Sequence, residues 1–145
     1  MGKLFLFVFI FCTGIAAAVQ PSINGRLARK VGIIESSFLS FAVGALALLI
    51  LVLVSGRGSL RGIGEAAWWE LTGGLLGAFF VSMSIVAVPR LGTAAVMAAV
   101  IAGQLTTGLL IDHYGLFGFR TFPLDARRLI GAVLLLAGAL LIFRK

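Results

Sequence analysis

The chain has 145 residues, of which 61% are hydrophobic and 12% charged, with a mean hydropathy of +1.16. A soluble domain is about half apolar and about a quarter charged, so five acids and twelve bases cannot coat a water-soluble fold of this size. The net charge of +7 does not indicate nucleic acid, because the bases sit in short gaps between apolar runs, where they anchor helices and set their orientation.

A helix that spans a bilayer needs about 20 largely apolar residues, and five runs meet or approach that length. The first is expected at residues 4–23. Its Ala16-Ala17-Ala18 also imitates a signal-peptide cleavage site, but the apolar run continues to Ile23, which favours an uncleaved span. The second is expected at 36–54, entered through Glu35. The third, at 71–88, follows Trp68 and Trp69, residues suited to the interfacial aromatic belt. The fourth, at 91–111, follows a turn expected at Pro89-Arg90 and ends at Asp112. The fifth, at 129–143, is short, so Arg144 and Lys145 are expected to snorkel to the interface. Between the last two, residues 113–128 form a loop with room for one interfacial turn. The expected fold is therefore an all-α membrane protein, one transmembrane domain over residues 1–145 embedded in the lipid bilayer.

Five spans place the termini on opposite sides. One side then carries Lys3, Arg57, Arg61, Arg120, Arg127 and Arg128, and the other Arg26, Arg29, Lys30, Arg90, Arg144 and Lys145. Orientation follows an excess of Lys and Arg in short loops on one side, and here there is none. The tie favours dual topology with antiparallel pairing over orientation by one dominant residue. Many transporters consist of two inverted repeats with a midplane site between them. No internal repeat is evident, so this chain reads as one half of a ten-helix inverted-repeat assembly completed by a second copy. Gly73-x-x-x-Gly77, with Gly14/Ala18 and Gly103/Thr107 at the same spacing, suits close helix packing.

Polar residues within the runs are the candidates for function. Gln20, Ser22 and Asn24 come late in the first run, Glu35, Ser36, Ser37 and Ser40 early in the second, and Ser82 and Ser84 late in the third. Because successive helices alternate in direction, all fall in the same half of the bilayer. Gln104 lies nearer the middle of the fourth run. Gln20, Asn24, Ser40, Phe41, Ser82 and Gln104 are the expected substrate-binding residues, with Phe41 to stack or gate. The competing reading is a set of interhelical hydrogen bonds of about half a kcal/mol each. Pro21 withholds a backbone donor and frees a carbonyl.

No carboxylate lies deep in a span, which disfavours proton-coupled exchange of organic cations. A lone Cys12 and a lone His113 beside Asp112 offer neither a disulfide nor a metal set. Nothing resembles a nucleophile with its base or a phosphate loop, so no catalytic residue, cofactor or metal is expected.

Several stretches resemble the YdcZ-type bacterial membrane proteins. They are Gln20-Pro21-Ser22-Ile23-Asn24-Gly25-Arg26-Leu27, Ser40-Phe41-Ala42-Val43-Gly44 and Gly73-Gly74-Leu75-Leu76-Gly77-Ala78-Phe79-Phe80-Val81, then Val88-Pro89-Arg90-Leu91-Gly92, Ala102-Gly103-Gln104-Leu105 and Leu110-Ile111-Asp112-His113-Tyr114-Gly115. That family falls in the drug/metabolite transporter superfamily, whose larger members have ten helices as two inverted halves. The resemblance implies a multi-pass, transporter-like protein of the bacterial inner membrane, found as antiparallel homodimers, opposed pairs or fusions. It names no substrate. The expected function is secondary transport of a small polar or amphipathic molecule by alternating access as a homodimer. The alternatives are a non-transporting scaffold or a subunit of a larger membrane complex, and, behind these, a channel.

Overall fold

A computed structural model describes residues 2–56 and 58–143. Arg57, Arg144 and Lys145, which enter the charge tally and the expected snorkelling, lie outside the described residues. Five helices are long and apolar enough to cross a membrane, and no strand occurs among the described residues. They are α1 (Lys3–Val31), α2 (Ile33–Ser55), α3 (Gly73–Leu91), α4 (Thr93–Tyr114) and α5 (Ala126–Phe143). Large apolar side chains cover their outer faces, among them Phe7, Leu53, Leu75 and Leu141. Water would not tolerate so much continuous apolar surface. Hydrocarbon does, and the helices satisfy their own backbone groups within it.

The helix ends differ from the expected spans for identifiable reasons. Charge ends a span, not a helix: α1 runs through Arg26, Arg29 and Lys30 to Val31, because Leu, Ala, Arg and Lys are all good helix formers. At 1.5 Å per residue its 29 residues extend about 43 Å, well beyond a hydrocarbon core of about 30 Å. Pro21 is accommodated inside it; lacking an N–H, it leaves the Ala17 carbonyl without its helical donor. The helix stops at Gly32, whose φ of 105° and ψ of 161° are open essentially to glycine alone. The Gly32 N–H donates to the Ala28 carbonyl at 2.9 Å, and the Gly32 carbonyl accepts from the Ser36 N–H at 3.0 Å. One residue thus closes α1 and opens α2.

The turn expected at Pro89-Arg90 is corrected in the same way. Pro89 and Arg90 lie inside the last turn of α3, and the break falls at Gly92, with φ 84° and ψ 151°. Between α2 and α3, Leu60–Glu65 and Trp68–Thr72 form 3-10 turns. The Glu70 carboxylate accepts from the Ala67 N–H at 2.7 Å at the start of the second turn.

The described residues fall into two compact units, one ending at Arg90 and the other beginning at Leu91. In the first, α1 pairs with α2, and Val81 and Ile85 of α3 are buried. The Phe41 ring rests on Gly77, where an added Cβ would lie 3.0 Å from Cζ.

In the second unit α4 pairs with α5 around buried Ala95, Val96, Ala98 and Ala132. The segment expected as a loop with room for one interfacial turn contains the 3-10 turn Leu116–Gly118 and is clasped at both ends. Asp112 pairs with Arg128 at 3.1 Å, and its backbone carbonyl accepts from the Phe122 N–H at 2.8 Å. The Arg128 guanidinium lies 5.3 Å from the Phe122 ring centroid, and that of Arg120 lies 5.7 Å from it. His113 accepts the Leu124 N–H through Nδ1 at 3.2 Å. Asp125 accepts from the Arg128 N–H at 2.8 Å, which caps α5 and explains why it starts at Ala126 rather than 129.

Candidate functional site

The polar residues of α1, α2 and α3 meet at one end of the first unit because of the spacing within α2. Ser36 and Ser40 are four apart and share a helix face, as do Ser37 and Phe41 one position on. The first pair meets α1. Ser36 donates from Oγ to the Asn24 backbone carbonyl at 2.8 Å, and the Asn24 amide donates to Ser40 Oγ at 3.1 Å. The second pair meets α3. Ser82 donates to Ser37 Oγ at 2.9 Å while Ser37 donates to the Ile33 carbonyl at 3.0 Å, and Phe41 seats on Gly77. α2 is therefore the hub, with adjacent ridges addressing two neighbours.

Burial separates the roles. Ser36 is 0% exposed and Asn24 5%, so these two tie α1 to α2 and hold Ser40 in place. No buried side-chain nitrogen or oxygen among the described residues lacks a partner. Gln20, Ser40 and Ser82 are half-buried, with Gln20 one turn before Asn24 on the same face of α1. They are the polar groups a solute could reach.

Of the six expected residues, Asn24, Ser40 and Ser82 join this network directly. Gln20 and Phe41 belong to the same unit, although the Phe41 ring contacts Gly77. Gln104 is exposed on α4 in the second unit. Ser36, Ser37 and the buried Ser84 were not among the expected site residues. The spacing of four between Ser36 and Ser40 was the signal for the first; Ser37 lies one position on, four before Phe41.

Next to the network a cleft of about 570 Å³ opens between α1 and α3. Ser22, Arg26, Arg29 and Lys30 line one wall, and Val88 and Pro89 the other. A smaller cleft of about 250 Å³ shares Arg29 and Pro89 and adds Arg90. The cleft lies at the C-terminal end of α1, where its three bases cluster.

The family model described as "Putative inner membrane exporter, YdcZ" matches residues 5–141. The chain is similar to the "Inner membrane protein YdcZ" of Escherichia coli strain K12, at 32% identity over 153 aligned positions covering 100% of this chain and 99% of that one. No solved structure matches. With five apolar helices and a match along nearly its whole length, the chain belongs to the YdcZ family as a multi-pass protein of the bacterial inner membrane.

Proposed function

We propose that this protein is a secondary transporter of a small polar or amphipathic molecule, working by alternating access as an antiparallel, dual-topology homodimer. The observation that carries the reading is the polar network of α1, α2 and α3 in helices otherwise clad in Leu, Ile, Val and Phe. Polar groups are costly in a bilayer and are retained where they tie helices or meet a solute. Here the two jobs divide: Asn24 and Ser36 tie, while the half-buried Gln20, Ser40 and Ser82 present hydroxyl and amide groups. The family's description as exporters supports the same reading.

A five-helix chain supplies half of a ten-helix transporter, and a second copy in the opposite orientation supplies the rest. The six-to-six division of Lys and Arg between the two sides gives no orientation an advantage. Gln104 of each copy is then assigned to the shared midplane constriction.

The test is flux. A thermal-shift screen of the purified protein against small polar metabolites and amphipathic organic ions selects a ligand. Counterflow of that ligand is then measured in proteoliposomes. The wild-type chain should exchange it, and Gln104→Leu should abolish exchange while leaving helix content unchanged, since Leu suits the bilayer interior. A wild-type protein that binds the ligand without moving it would favour the scaffold alternative.

A further inference from the structure

We propose that the basic cleft between α1 and the end of α3 is an oxyanion site that takes a phosphate group. This goes beyond the transport reading and stands whether or not flux is found. Arg26, Arg29 and Lys30 project from neighbouring positions of one helix face and converge on the same concave space of about 570 Å³. That size lies within the ~300–1,000 Å³ usual for small-molecule sites. Bases that merely anchor a helix splay outward to separate phosphates; these line a common wall.

Their charge is uncompensated. Among the described residues the Asp112–Arg128 ion pair lies in the other unit, and no described carboxylate pairs with Arg26, Arg29 or Lys30. Like charges three and four positions apart on a helix repel each other, so the arrangement is favourable once an anion is bound between them. Arginine presents a planar fork of donors that matches phosphate oxygens two at a time, and lysine adds a point charge. Gly25 leaves the floor open, since a Cβ there would meet nothing within 4 Å. The facing wall of Val88 and Pro89 offers no competing charge and suits the apolar part of a phosphate ester.

Phosphate reaches this position from two sources: an anionic lipid headgroup at the interface, or a soluble phosphate ester arriving from water. The test uses the full-length protein in uncharged, phosphate-free maltoside micelles. Glycerol 3-phosphate in solution and phosphatidylglycerol doped into the micelles are titrated separately, and binding is read by calorimetry. At least one probe should bind saturably, with affinity falling as salt rises. Arg26→Gln with Arg29→Gln should weaken it at least tenfold, while Arg120→Gln in the other unit leaves it unchanged. Glycerol 3-phosphate binding assigns a soluble ester, and binding of phosphatidylglycerol alone assigns the lipid. Should the double Gln variant fail to fold, Arg26→Lys with Arg29→Lys keeps the charge but loses the paired donors, and should weaken binding several-fold. Binding of neither probe, or unchanged affinity in the folded double variant, overturns the proposal.

Discussion

Gly32→Ala is the most informative single change in this protein. Gly32 has φ 105° and ψ 161°, a region closed to side chains with a Cβ and costing on the order of 1–3 kcal/mol per residue forced into it. The Glu35 carboxylate also occupies the space an added Cβ would need; it is exposed and can swing away, so backbone strain decides the outcome. The obvious relief is rotation of residue 32 into helical geometry, which would join α1 to α2 in one rod. That would break the α1–α2 pairing and separate Ser36 from the Asn24 carbonyl. The strain must therefore be borne, and a cost of about 1–3 kcal/mol lowers the folded-to-unfolded ratio roughly 5- to 150-fold. Unfolding in mixed micelles by SDS titration, followed by far-UV circular dichroism, measures this directly. Gly44→Ala is the control: it is helical, and an added Cβ would meet nothing within 4 Å. It should be neutral or up to about 1 kcal/mol stabilising. Equal midpoints for the two variants would refute the argument that Gly32 backbone geometry makes the hairpin.

Three other outcomes are expected. Ser36→Ala removes the hydroxyl donated to Asn24 and should cost about 0.6 kcal/mol, at most about 1.7, whereas Ser36→Leu at a site with 0% exposure should cost about 1–3 kcal/mol by overpacking; the same SDS titration reads both. Asp112 and Arg128 are 44% and 35% exposed, so a double-mutant cycle with Asp112→Asn and Arg128→Gln should give a coupling below about 1 kcal/mol, weakening with salt. Reporters fused to the C-terminus should be active on both sides of the membrane for the wild-type chain, and two lysines added after Lys145 should bias them strongly to one side; a wild-type reporter confined to one side would refute dual topology.

The existence of the helices was legible because bilayer thickness imposes length, and length survives in a bare hydropathy pattern. Their ends were not, because hydropathy reports where charge begins while backbone geometry decides where a helix stops. The first expected span stopped at Ile23, before Asn24 and Arg26, yet α1 continues to Val31. Pro89 was read as a turn, yet a proline in the final turn leaves the following residues free to remain helical, and the chain breaks at Gly92. Gly32 and Gly92 were visible in the sequence as single glycines between apolar runs, but no pattern distinguishes a glycine with positive φ from one such as Gly44 within a helix.

The candidate site divides along the same line. That Asn24, Ser40 and Ser82 share one end of the first unit follows from alternating helix direction, and the ridges Ser36–Ser40 and Ser37–Phe41 of α2 follow from a spacing of four. Which neighbour each ridge meets does not follow. In a soluble helix the apolar stripe marks the buried face; here Phe38 and Leu39 on the outside are as apolar as Val81 and Ile85 within, and lipid rewards both. Polar side chains are then the remaining markers of an inward face, and a marker engages whatever partner lies closest. Asn24, expected to face a solute, is 5% exposed and donates to Ser40. In a sparse polar set each group that ties helices is one fewer for a ligand. On the proposed transport reading, the half-buried Gln20, Ser40 and Ser82 are the groups left for a solute.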